Sequence, residues 1–378
     1  MRKITIAEIL SLAEYKIRPV ITKLPPSIVT NIYSPARKAF IKLLARETRT
    51  GTYMPPESEA RTLWGIRFNS GIFNAAGMFK HGEGYYTAAS QGAGAYLAGT
   101  STGAYRRGNE RKGVLHPFMP YPKSGSASNW MGLPNEGHES LAKKLSKIEK
   151  VEGCPLGVSV SASPEIPDVE AVKELVYGME LFKSANVDFI ELNESCPNVP
   201  HDKHTNSIGL DENLLNRLEY IGKNFIKRTG ANPPVIVKLT NDTDIQIIPA
   251  LLDVLAGLGF GAVNFGNTST GYEKYASMIN SGDKPLFDYF TSTFGGGLSG
   301  RILKMRSFEL SSYAASYIEK HPTSKEFYII RTGGIDSLED IRQSDEAGIA
   351  LNQWFTGYFE NFAKHGHSLY KHLFTRHN

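Results

Sequence analysis

Two cysteines in 378 residues, Cys154 and Cys196, are too few for a disulfide framework and suit a reducing compartment. No cysteines and histidines are spaced as a zinc site. No apolar run approaches the roughly 18 residues that span a bilayer, so the chain is not expected to cross one. At the ends of the apolar, strand-like runs, acidic pairs spaced for a metal centre or a two-carboxylate couple are missing too, which argues against hydrolysis by either route. Asp242 and Asp244 read as loop and helix-start residues instead. What is abundant is glycine, 36 residues, beside 41% apolar content, the signature of many short elements joined by tight connections around a sizeable core.

The net charge of +4 is uneven: residues 1–62 carry eleven Lys or Arg against five Glu, and the remainder is slightly acidic. The start superficially resembles a secretory signal, but Glu8 and Glu14 interrupt it and no small-residue cleavage site follows. Helical spacing of Ile6, Ile9, Leu10, Ala13 and Ile17 predicts an amphipathic helix over 5–18. A second helix is expected to begin at Ser34 as cap, with Pro35 in its first turn and Leu24-Pro25-Pro26 as the break between the two. Such a basic, amphipathic pair either rests on an anionic membrane surface or covers one end of the main domain. No nucleic-acid partner is expected, and the oligomeric state is left open.

From residue 71 onward, eight short apolar runs recur, at 72–76, 94–98, 156–160, 187–192, 235–239, 261–265, 327–330 and 349–354, most followed by a helical stretch. Eight such units predict an α/β fold, a closed (β/α)8 TIM barrel over 63–378 with an N-terminal helical extension over 1–62. An open doubly wound sheet is the competing architecture. The intervals 101–150 and 268–304 are too long for one helix each and predict excursions above the barrel mouth.

Residues just after the strands should share one face. Gly333-Gly334 and Thr356-Gly357 follow the last two strands, where barrels commonly seat a phosphate, and the glycine-rich stretch 296–300 can approach the same anion. Together they favour a phosphorylated cofactor. Lys238, inside an apolar strand, is expected to point into the mouth, where it stabilises charge developing on a cofactor ring. Residues 193–198, Asn-Glu-Ser-Cys-Pro-Asn, place a thiol between two amides on a loop that Pro197 keeps from pairing. A mouth rich in asparagine fits a flat ligand with alternating imide donors and acceptors, such as a nucleobase-like ring.

In chain order, Ala75-Ala76-Gly77, Lys80-His81-Gly82-Glu83, Gly99-Thr100-Ser101-Thr102, the run 129–135 (Asn-Trp-Met-Gly-Leu-Pro-Asn), the Cys196 segment, Val237-Lys238, Asn267-Thr268, Gly296 to Gly300, Gly333-Gly334 and Thr356-Gly357 resemble the dihydroorotate dehydrogenases from about residue 65 onward. The resemblance implies an FMN-dependent barrel enzyme that oxidises dihydroorotate to orotate in pyrimidine biosynthesis. It implies Cys196 as the base at C5 while a hydride leaves C6 for flavin N5. Substrate contacts are implied for Lys80, Asn129, Met131, Gly132, Leu133, Asn193, Asn198, Asn267 and Thr268. Cofactor contacts are implied for Ala76, Gly77, Lys80, Thr100, Asn193, Lys238, Asn267, Gly297, Gly333, Gly334, Thr356 and Gly357, and no metal is implied.

The features are mixed between the two branches of the family. Cys196 and the run 131–135 resemble soluble members, which reduce fumarate or NAD. Lys80 to Glu83 and the helical extension resemble membrane-associated members, which use a serine base and reduce quinone. A quinone is the expected acceptor, with fumarate and NAD as alternatives, and a cytoplasmic location is expected, peripheral on the inner face of a membrane. Phe79 replaces a usual acidic residue, and Arg331 a usual glycine, where it either pairs with the flavin phosphate or marks an altered phosphate site. Residues 199–204 also depart from the usual continuation and are expected to form a lid over the substrate. Two other functions stay open: a flavin oxidoreductase acting on a different pyrimidine-like ring, and a flavin-binding protein without turnover.

Overall fold

In the computed structural model, residues 4–47, 51–194, 210–227 and 233–375 are described. Eight parallel strands form the central sheet: β1 (Ile72–Asn74), β2 (Tyr96–Ser101), β3 (Leu156–Val160), β4 (Phe189–Asn193), β5 (Val235–Thr240), β6 (Ala262–Asn267), β7 (Tyr328–Thr332) and β8 (Leu351–Trp354). Ladders join them in the ring order β1-β8-β7-β6-β5-β4-β3-β2. The remaining seam, between β1 and β2, is bridged by a side chain. The Asn74 amide donates to Leu97 O at 2.8 Å and accepts from Leu97 N at 3.2 Å, beside a backbone bond from Gly94 N to Ile72 O at 3.0 Å. The eight expected strands are all present, and the ring is the (β/α)8 barrel.

Alternation along the strands sorts the side chains. Phe189, Ile236, Ala262, Ile330 and Leu351 point inward and form an apolar layer with Phe73 and Leu97. Their neighbours Ile190, Val237, Val263, Ile329 and Phe265 point outward, into the larger core between sheet and helices. A hairpin of Arg61–Leu63 against Ile66–Phe68 seals the N-terminal end of the barrel, with Leu63 and Phe68 packed on the inner layer. The expected domain boundary after residue 62 thus falls inside a strand of this plug.

The long excursions build a roof. Phe118–Tyr121, Ser126–Asn129 and Gly297–Gly300 pair as a three-stranded antiparallel sheet, so the segment before Asn129 and the glycine-rich stretch meet edge to edge. Met119, Tyr121, Phe287, Phe290 and Leu298 form a second apolar cluster there, joined by Val29 and Tyr33 of the N-terminal extension.

The extension is a helical hairpin, α1 (Ile6–Ile21) and α2 (Pro26–Leu44). Thr5 and Glu8 form a capping box at the start of α1. The second helix begins eight residues before the expected Ser34, which corrects the reading of Pro35 as a first-turn residue. Pro35 lies inside α2, and the Ser34 hydroxyl donates to Thr30 O at 2.7 Å while accepting from Phe118 N at 3.1 Å. Burial of Val29 and Tyr33 under the roof outweighs the backbone bond that a mid-helix proline removes.

The apolar stripe of α1 faces away from the protein. Ile6, Ile9 and Val20 are 62%, 56% and 68% exposed, and Leu10 and Ile17 are exposed too. The protein-facing side carries Ala7, Glu8 and Ser11. Contacts there are polar: Glu8 accepts from His367 N at 2.9 Å, Arg18 pairs with Glu14 and Glu360, and Glu47 binds both Ala7 N and the His367 ring.

Candidate active site

At the C-terminal end of the strands lies an open cleft. Its lining comes from every quarter of the ring. The loop after β1 supplies Ala76, Gly77 and Lys80, and β2 supplies Thr100. From the roof come Asn129, Met131 and Leu133, with Ser299 and Gly300. Asn193, Lys238, Asn267 and Thr268 come from β4 to β6 and the residue after, and Thr332, Gly333, Gly334, Gln353, Thr356 and Gly357 complete the circle.

Two expected site residues stand outside this lining, a correction to the sequence reading. Gly132 is buried at φ +67° beside Asn109, and its carbonyl accepts from Arg106 Nε at 3.2 Å, while its neighbours Met131 and Leu133 line the cleft. Gly297 is packed behind Thr268, whose Oγ1 would lie 1.9 Å from a Cβ at that position. Cys196, Asn198 and the expected lid at 199–204 lie outside the described residues.

Arg331 does not reach the cleft, which rules out its direct pairing with a phosphate there. It shares the outward phase of Ile329 and is fully buried, donating to Ser307 Oγ (3.1 Å), Ser344 Oγ (3.1 Å) and Lys304 O (3.1 Å). Burial lowers its pKa to about 10 against the attraction of Asp340. Phe79 is also a core residue: its ring stacks on Tyr96 at 5.6 Å and so anchors the loop that carries Lys80.

Polar side chains in the cleft hold one another in fixed orientations. Asn193 donates from Nδ2 to Thr100 Oγ1 at 3.2 Å and accepts at Oδ1 from Asn267 Nδ2 at 3.0 Å. Thr100 in turn lies 3.0 Å from Ser159 Oγ, and Asn267 Oδ1 accepts from Thr268 N at 2.9 Å. Below them, Lys238 Nζ donates to Gln353 Oε1 at 3.1 Å and pairs with Glu191 at 3.3 Å.

Sequence reasoning missed Glu191, Asn264 and Gln353, which occupy the inward positions one step above the apolar layer. The signal was available: each polar residue sits two positions beyond an inward apolar one. Arg37 was also missed, because it arrives from α2. Its guanidinium stacks between the rings of Phe118 and Phe355 at 5.4 and 5.1 Å, and its Nε is buried without a hydrogen-bond partner. Burial pulls its pKa down to about 10. Arg37, Lys80 and Lys238 thus line a cleft to which no described carboxylate contributes. Its electrostatics select anions.

A barrel mouth that combines lysines, fixed amides and several glycines suits an anionic ligand with a planar polar ring. The comparisons agree: the dihydroorotate dehydrogenase family model matches residues 59–373, and the chain belongs to that family of flavoenzymes. The chain is similar to the dihydroorotate dehydrogenase (quinone) of Synechococcus sp. (strain JA-3-3Ab), 28% identical over 84% of this chain and 78% of the relative. It is similar also to that of Christiangramia forsetii, 28% identical over 79% of each. Ligand-free DHODH from Eimeria tenella shares the fold, with TM-score 0.73, 19% identity and coverage of 89% of this chain and 92% of that one.

Proposed function

We propose that this chain oxidises dihydroorotate to orotate with FMN held in the cleft, Cys196 acting as the base, and that a quinone takes the electrons. The observation that carries this reading is the convergence of three cations and a hydrogen-bonded amide chain on one cleft to which no described carboxylate contributes.

The residues present fit FMN. The helix Thr356–His365 opens without a side-chain cap, so its first N–H groups favour an anion. Beside it, Gly333 and Gly334 have φ of +134° and +75°, and a Cβ on Gly357 would meet Ile335 O at 2.1 Å. That packing lets the backbone approach a phosphate closely. Bound FMN supplies the hydride acceptor.

Asn193 and Asn267, whose orientations are set by their mutual bond, are suited to the imide edge of a planar pyrimidine, with Asn129 on the roof side. Lys80 balances the charge of the substrate carboxylate. Cys196 removes the ring proton, which requires a thiolate or a relay to water, since a free thiol has a pKa of about 8.5.

Two features support quinone and a peripheral membrane location over fumarate or NAD. The outward apolar face of α1 suits the boundary of a lipid layer, and α2 carries Arg37 from that hairpin to the cleft. The relatives named above carry the quinone designation. Anaerobic mixing of the FMN-loaded protein with dihydroorotate tests the first half: the flavin absorbance should bleach, and an unchanged spectrum with bound FMN refutes the substrate. Oxidation of the bleached protein by a quinone, tried beside fumarate and NAD, tests the second.

A further inference from the structure

Beneath the cleft sits a carboxylate that the reaction outlined above does not use. Glu191 is fully buried inside the barrel. Its Oε1 lies 3.3 Å from Lys238 Nζ, and its Oε2 accepts from Gln353 Nε2 at 2.6 Å and Asn264 Nδ2 at 3.0 Å. Gln353 is oriented by the same arrangement, since its Oε1 accepts from Lys238 while its amide nitrogen serves Glu191. Thr332 Oγ1 closes the network, 2.9 Å from Asn264 Oδ1 and 3.1 Å from Gln353 Oε1.

Filling space does not account for a carboxylate here. One layer lower, the same strands carry Phe189, Ile236, Ala262, Ile330 and Leu351, and bulky apolar residues dominate barrel interiors. A buried ion pair is not a cheap substitute for such packing, because both ions lose their water. The pair does have an electrostatic effect at the cleft floor. Lys238 lines the cleft and Glu191 does not, so the carboxylate offsets the lysine's field from below.

We propose that Glu191 is a positioning residue for Lys238, which it anchors at the cleft floor while partly cancelling its charge, so that the flavin potential lies below the value Lys238 alone would set. This rests on the flavin reading above. Two electrons and one proton delivered as hydride leave the reduced ring with an extra negative charge, which Lys238 stabilises and Glu191 opposes. Gln353 Oε1 continues to hold the ammonium when the carboxylate charge is removed.

The test is the midpoint potential of bound FMN, measured by dye-coupled titration in wild type, Glu191→Gln, Glu191→Asp, Lys238→Met and the double variant Glu191→Gln/Lys238→Met. Glu191→Gln should favour reduced over oxidised FMN by about tenfold, a rise of ~30 mV for a two-electron couple. Glu191→Asp, which keeps the charge, should stay near wild type. Lys238→Met should lower the potential, and the double variant should lie above Lys238→Met by a similar tenfold. An unchanged or lowered potential in Glu191→Gln overturns the proposal. Should that variant fail to fold, identical potentials in Lys238→Met and the double variant overturn it equally. A wild type that takes up no FMN refutes the flavin reading itself, whereas FMN bound and bleached by dihydroorotate with no shift among the variants refutes only the role of Glu191.

Discussion

Acidification should loosen the roof segment that carries Asn129, Met131 and Leu133, and His138 is the group through which it acts. That segment is tied to the end of β2 at two points. Asn135 exchanges bonds with Thr102, and the His138 ring lies 3.1 Å from Ser101 Oγ through Nδ1. The ring packs edge-on against Phe182, and its Nε2 is buried with no hydrogen-bond partner. Burial therefore favours the neutral ring and lowers its pKa from 6.5 to about 4. The unfolded chain binds a proton near pH 6.5 and the folded one only near pH 4, so stability is complete above 6.5 and declines as pH falls towards 4. At pH 4.5 the loss relative to pH 7 is about 2 kcal/mol, from ~1.4 kcal/mol per pH step in the window where only the unfolded state is protonated. For a chain of this size that is roughly 2–3 °C in midpoint. Thermal unfolding of wild type and His138→Gln at both pH values isolates the term. The glutamine variant is less stable at pH 7, and the gap should close by about 2 kcal/mol at pH 4.5. A gap of constant size would show that His138 does not titrate in this window.

Other substitutions probe the remaining assignments. Cys196→Ala should keep FMN bound but abolish bleaching by dihydroorotate in stopped flow, and undiminished bleaching would remove the cysteine from the mechanism. Arg331→Met should cost ~1–3 kcal/mol of stability through the bonds it leaves unmade while leaving FMN affinity within twofold, because the side chain lies outside the cleft. A large loss of FMN affinity, read by fluorescence titration, would restore it to the phosphate site. Ile9→Asp with Val20→Asp should abolish sedimentation with lipid vesicles and shift the unfolding midpoint little, since both residues are exposed. Retained sedimentation would mean that the outer face of α1 is not the lipid contact.

The barrel was legible because each strand is a compact apolar run, and position after a strand end was enough to bring Ala76, Thr100, Asn193, Asn267, Gly333 and Thr356 to one cleft. What was misread turned on side-chain phase and on tertiary support. Arg331 precedes a cleft residue, Thr332, and by strand alternation therefore faces the helices. Pro35 looked like a helix start because the packing of Val29 and Tyr33, which carries α2 through it, involves roof residues such as Met119 and Phe287, far away in the chain. Arg37 could not be assigned for the same reason: no local pattern tells that α2 delivers a guanidinium to the barrel mouth.

The hairpin α1–α2 has a consequence for how the molecule behaves once isolated. Its first helix is inside out for a helix in water, fastened to the barrel mainly by carboxylates and a histidine, with Ala7 its one fully buried apolar side chain. Such fasteners weaken in concentrated salt and acid, conditions that leave hydrocarbon packing nearly untouched. Detached or not, the oily flank invites neighbours, so preparations free of detergent should cluster through it, and mild surfactant should return them to single particles.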